Sequence, residues 1–132
     1  MNWKSLNNKL NDISARTITI PNEIVEELYC IITGCIQIND RNHTFDCYDV
    51  KKNKKIEIKS STKFTNILIK DIMDFDILVF MLFNPKEDIV QIYSIEKKII
   101  REFVNNGRRV NIENIINRGF IEPKVVNLLE VL

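Results

Sequence analysis

Residues 77 to 83 read Ile-Leu-Val-Phe-Met-Leu-Phe, seven apolar side chains in succession, closed by Asn84-Pro85. The run has the length of a strand, and successive strand side chains point to opposite faces, so this segment is apolar on both sides. Such a strand belongs at the centre of a sheet with cover on both faces. Everything around it has to supply that cover.

The flanking periodicities supply it. Trp3, Leu6, Leu10 and Ile13 recur at helical spacing, Thr17 to Ile20 alternate, and Pro21-Asn22 interrupts the pattern. From Glu23, the positions Ile24, Val25, Leu28, Ile31 and Ile32 form a second helical face that stops at Gly34, a natural residue just past a helix end. Residues 35 to 40 read as a brief strand, and residues 44 to 61 as two strands joined by a Lys/Asn turn. Ile67, Ile69, Ile72 and Met73 predict a two-turn helix capped by Asn66. Residues 89 to 94 alternate and pair back on the apolar strand, and Ser94 is expected to cap a helix that runs toward Gly107. Near the C-terminus a short helix or strand is expected over 111 to 117, a break at Gly119, and a terminal helix from Pro123. The sum is an α/β (α+β) chain, a mixed β-sheet with flanking helices. With 132 residues and a 45% hydrophobic fraction it fits one domain, 1–132, with 1–22 as an N-terminal helix or arm and 23–132 as the core.

Charge narrows the function classes. Lys and Arg number 19 against 18 Asp and Glu, so no global basic field marks a nucleic-acid binder. Local clusters stand at Lys51, Lys52, Lys54 and Lys55 and at Arg108 and Arg109, and runs of this kind are ordinarily solvated surface. Cys30, Cys35 and Cys47 lack zinc-type spacing and read as buried free thiols of a reducing cytoplasm. No apolar run approaches membrane-spanning length, and residues 1 to 12 do not have the pattern of a secretion signal. Three glycines leave no GxxxxGK[ST] or GxGxxG loop for nucleotide phosphates.

The chemistry gathers on the hairpin. Glu57 and Lys59 are two apart on a strand and share a face, so Glu57 can hold a divalent cation while Lys59 meets a water and offsets transition-state charge. Ile58 turns into the core and leaves its carbonyl as a further oxygen ligand. A second carboxylate must come from the neighbouring strand, where Asp46 and Asp49 have opposite parity. A three-residue loop centred on Asn53 sets Asp49 opposite Glu57, whereas a two- or four-residue loop brings Asp46 to that face. Hairpin geometry leaves both open.

Three motifs stand in succession here: Ile32-Thr33-Gly34, Asp46-Cys47-Tyr48-Asp49, and Glu57-Ile58-Lys59-Ser60. Together with the helix, turn and strands that carry them, they resemble the catalytic core of PD-(D/E)XK type II restriction endonucleases in a PvuII-like arrangement. The resemblance implies a restriction endonuclease-like fold and a Mg²⁺-dependent enzyme that cuts double-stranded DNA as a homodimer. It makes Asp46, Glu57 and Ile58 the metal ligands and Asp46, Glu57 and Lys59 the catalytic set. The segment after the lysine is shorter than in that family and lacks its groove-reading histidines, leaving Ser61, Thr62, Lys63, Thr65 and Asn66 to contact DNA. His43 stands where the family has an upstream Glu, and Glu26 or Glu27 where members often place an additional acidic residue.

Blander readings account for the same residues. Asp, Glu and Lys on one hairpin face can be a solvated strand pair with cross-strand ion pairs, a lone His43 can be a loop residue, and Glu26 and Glu27 can be the polar face of a helix. Two other functions compete. Residues 15 to 28 resemble the strand and first helix of ribbon-helix-helix regulators, and a nuclease fold could instead serve a Holliday-junction resolvase.

Overall fold

The computed structural model describes Lys4 and residues 21–38, 45–69, 74–104 and 109–131. Apart from Lys4, the expected first helix lies outside the described residues, as do the extended piece 17 to 20, residues 39 and 40 of the expected brief strand, His43, Ile72 and Met73 of the expected two-turn helix, Gly107 and Arg108.

The apolar run is the middle of the molecule. It forms β5 (Ile77–Asn84), which lies between β3 (Lys54–Ser61) and β6 (Ile89–Glu96) in a six-stranded sheet of order β1-β2-β3-β5-β6-β8. The remaining members are β1 (Ile36–Gln37), β2 (Cys47–Asp49) and β8 (Lys124–Asn127). β3 and β5 are parallel and the other pairs antiparallel. Asp76 pins the parallel pair at its start: its N–H donates to the Lys55 carbonyl at 2.8 Å and its Oδ2 accepts from the Lys55 N–H at 2.9 Å.

The two faces of β5 enter two separate cores. Val79, Met81 and Phe83 pack with Ile56 and Ile58 of β3 and with Val25, Leu28 and Tyr29 of α1 (Asn22–Thr33). Leu78 and Phe80 pack on the other side with Ile67, Tyr93, Ile95 and residues of α2 (Lys97–Phe103) and α3 (Ile112–Gly119). A strand covered on both faces by helices is what its continuous apolar sequence demands. The mixed sheet with flanking helices has the form of a restriction endonuclease-like fold.

α1 ends as its sequence indicates. Gly34 adopts φ 77 and its N–H reaches the Cys30 carbonyl, a left-handed cap that an L side chain enters only at a cost. After Gly34 the chain enters β1 and not a second helix, which removes the ribbon-helix-helix reading.

Three expectations are corrected. Residues 66 to 68 are not helical: β4 (Asn66–Leu68) pairs antiparallel with β7 (Arg109–Asn111) in a separate two-stranded sheet, so Asn66 caps nothing. Ile67 and Ile69 are two apart as well as part of a helical pattern, and pairing with Val110 favours the strand. β6 runs through to Glu96, so Ser94 sits inside a strand and α2 begins at Lys97. Pro123 opens no helix. It precedes β8, whose Val125 and Val126 suit a strand and which pairs with β6, before the one-turn α4 (Leu128–Val131).

Candidate active site

The turn between β2 and β3 decides what faces Glu57. Asp49 pairs with Lys54, Tyr48 with Lys55 and Cys47 with Ile56, so four residues, Val50 to Asn53, form the loop. Asn53 takes φ 52 at its end, and its side chain accepts the Tyr48 hydroxyl. Continuing that register by one residue sets Asp46 across from Glu57. Asp49 is drawn into the turn, where its Oδ1 accepts from the Lys52 N–H at 3.1 Å.

Asp46 stands just where β2 parts from β3. Its N–H still donates to the Ile56 carbonyl at 2.9 Å, but the next position on β3, the Ile58 N–H, is met by the Asp46 side chain, Oδ2 accepting at 2.7 Å. The carboxylate thus replaces the missing strand. Asp46 borders a cleft of about 340 Å³ that is also lined by Asn22, Glu26, Glu57, Ile58, Lys59 and Ser60 and by Asn66 to Leu68. Ile58 buries its side chain in the first core, so it borders this cleft through its backbone.

Three carboxyl groups crowd the cleft, and their electrostatics record it. Glu57 is pushed up to about 8, first by burial, then by the charge of Asp46 and a hydrogen bond with it, with Lys59 pulling the other way. Glu26 is pushed up to about 7 by burial and again by Asp46, while Gln37, whose Nε2 donates to Oε2 at 3.4 Å, lowers it. Lys59 Nζ stands 3.8 Å from Glu57 Oε1. Burial and the Asp46 charge thus favour the protonated forms of Glu57 and Glu26, and little positive charge lies beside them to oppose it.

A divalent cation fits that deficit. The donors are all hard oxygens, which suit Mg²⁺. Among the described residues no group of three or more His, Cys, Asp or Glu is spaced to hold a metal ion unaided. Mg²⁺ commonly takes one or two carboxylates and completes its shell with water and substrate phosphate.

A family model described as Bsp6I restriction endonuclease matches residues 1–119. The chain belongs to that family. The Bsp6I family assignment makes it a restriction endonuclease, with DNA as its substrate. A comparison with curated proteins finds no match.

In this Bsp6I-family chain the remaining candidate residues divide by position. Asn66 lines the cleft, and Thr65 borders a second, neighbouring pocket. Ser61 ends β3 and Thr62 and Lys63 follow it, Lys63 being exposed and Ser61 Oγ accepting from the Lys63 N–H. Phe64 holds this segment in place by stacking on Phe80 at 6.1 Å between ring centroids and meeting Tyr93 at 6.0 Å. Glu27 is exposed on the outer side of α1 and does not border the cleft; the acidic residue that does is Glu26, one position earlier. Helical phase relative to Val25 and Leu28 separates the two, since Glu26 is half-buried beside that stripe. The lysines of the β2–β3 turn are all exposed and lie at the opposite end of β3 from the cleft. Cys47 is buried with its Sγ 3.2 Å from that of Cys30, and burial pushes both thiols up. All three cysteines are free, and no helix among the described residues is long and apolar enough to cross a membrane.

Proposed function

We propose that this chain is a Mg²⁺-dependent type II restriction enzyme of the PD-(D/E)XK kind that hydrolyses phosphodiester bonds in double-stranded DNA. The observation that carries the reading is the convergence of Asp46, Glu57 and Lys59 in one cleft, with Asp46 anchored on the Ile58 N–H. Asp46, Glu57 and the Ile58 carbonyl would hold the cation. When bound, it supplies positive charge that polarises the scissile phosphate.

The chain's own residues do the rest. Lys59 carries three N–H donors on a flexible stem, and from beside Glu57 it can orient an attacking water and neutralise charge that builds on the phosphate. Asp46 is immobilised through its Ile58 contact, so the carboxylate need not reorganise as the reaction proceeds. Ser61, Thr62, Lys63, Thr65 and Asn66, which run from the end of β3 to the rim of the cleft, contact DNA. Residues 1–132 form one nuclease domain, with 1–22 as an arm suited to dimerisation, and two copies would each cut one strand of a duplex.

The test is incubation of mixed-sequence duplex DNA with Mg²⁺, wild type beside Lys59→Ala. Discrete fragments from wild type and at least a hundredfold slower cleavage by the variant are expected, the usual order for losing one preorganised charge-stabilising donor. No cleavage by either protein would sink the enzyme reading. Cleavage confined to four-way junctions would convert it to a resolvase.

A further inference from the structure

Next to the catalytic cleft is a second concavity of about 220 Å³, lined by Phe64, Thr65, Asn66, Asn111 and Glu113. Asn66 borders both. The second pocket exists because β4 pairs with β7, which sets Asn66 directly opposite Asn111 and brings the start of α3 beside the segment that leaves the catalytic strand. Asn66, Asn111 and Glu113 are exposed, whereas Ile67, Val110 and Ile112 anchor the same ribbon in the second core. The result is a rigidly held row of polar groups along one edge of the cleft.

Their hydrogen-bonding capacity is specific. Asn111 Oδ1 caps α3, accepting from the Asn114 N–H at 2.9 Å, so what Asn111 chiefly has to offer a ligand in the pocket is its two amide N–H donors. Glu113 offers only acceptors when ionised, and Asn66 offers both. A carboxylate on a surface that meets DNA is repelled by phosphate, so its favourable partner is a donor that DNA presents away from the backbone. The exocyclic amino groups of cytosine and adenine in the major groove are such donors. Asn111, a donor beside that acceptor, complements the oxygen and nitrogen acceptors of the same or neighbouring base pair.

We infer that the β4–β7 ribbon reads base edges, with Glu113 accepting from an exocyclic amino group and Asn111 donating to an adjacent base acceptor. This rests on the duplex-cleaving function proposed above and adds to it a specificity surface from a segment more than forty residues beyond the catalytic strand. Phosphate-contacting residues fix position without carrying sequence information, and base-contacting residues carry it. The two roles are therefore separable by experiment.

A pool of duplexes of randomised sequence is treated with Mg²⁺ and wild type, Glu113→Gln or Asn111→Asp, and the sequences around the cut ends are read. Both substitutions keep side-chain size, and Asn111→Asp keeps the helix cap because Asp also accepts at that position. Each variant should lose discrimination at one or two base positions by roughly 5- to 150-fold, the range for one well-formed base contact, while other positions keep their preference. Profiles superimposable on wild type, or rates lowered equally for every sequence, would overturn the inference and leave Glu113 as a residue that only favours the start of α3. If wild type cut no duplex, the proposed function would fall by itself. Selection of bound duplexes from the same pool would still decide the ribbon: a motif enriched by wild type and lost in the variants supports base reading, and equal enrichment overturns it.

Discussion

Glu57 allows the acidic cleft to be measured without any cleavage assay. In the folded chain its carboxyl titrates at about 8, chiefly from burial and then from Asp46, against an ordinary value of 4.5. Between those values the folded state holds a proton that the unfolded chain has released. The associated stability is therefore fully present below about pH 4.5 and is lost as pH rises through 8. The interval from 4.5 to about 8, at about 1.4 kcal/mol per pH unit, sets an upper limit of about 5 kcal/mol. The side chain is 20% exposed in an open cleft, so solvent screening brings the expected loss to about 2–3 kcal/mol. Glu57→Gln removes the titration at nearly constant size. Urea unfolding in metal-free buffer should find the variant more stable than wild type by that amount at pH 9, with the gap closing toward pH 4.5. Adding Mg²⁺ at pH 8 to 9 should restore wild type by about 2.7 kcal/mol at a hundred times its dissociation constant, and should help the variant far less. A wild-type-minus-variant difference that stays flat from pH 5 to 9 would refute the account of the cluster. An equal response of both proteins to Mg²⁺ would refute Glu57 as a ligand.

Other expectations follow from positions already described. Asp46→Asn should abolish cleavage, whereas Asp49→Asn should leave it within a few-fold of wild type and cost at most about 1 kcal/mol through the turn, as judged by cleavage rates and urea midpoints; the reverse order would refute the four-residue register. Phe80→Ala, deleting a fully buried ring that also supports Phe64, should cost about 3–5 kcal/mol in chemical denaturation. Gly34→Ala, at φ 77, has free space around the added methyl yet should lose about 1 kcal/mol, because the backbone conformation and not a clash is at fault.

What the sequence discloses here depends on how local the deciding contacts are. β5, α1 and the β2–β3 hairpin are legible because their periodicity and their end signals, Asn84-Pro85 and Gly34, lie within the segment itself. β4 and β8 are not. Ile67 and Ile69 satisfy both periods, and what selects the strand is Val110, a partner about forty residues away. Val125 and Val126 become a strand because β6 offers them an edge. In the site, Glu57 and Lys59 follow from parity alone, but Asp46 against Asp49 depends on a loop length that Lys51, Lys52 and Asn53 do not declare. Glu26 and Glu27 differ by one helical step, and the phase of the Val25 and Leu28 stripe, readable in the sequence, is the signal that separates them. Asn111 and Glu113 reach the cleft's edge through the same β4–β7 pairing that periodicity misses.

The double hydrogen bond between Asp76 and Lys55 acts as an indexing pin. Parallel strands joined by a long connection have no tight turn to set their alignment, and β3 is such a strand with respect to β5. A slip of one residue would rotate Glu57 and Lys59 into the first core and deliver Ile56 and Ile58 to the cleft. Asp76 makes that misalignment expensive from a position that borders neither the cleft nor the recognition ribbon. Drift in the surrounding loops can then leave the alignment of the chemistry untouched so long as this one carboxylate keeps its grip on the start of β3.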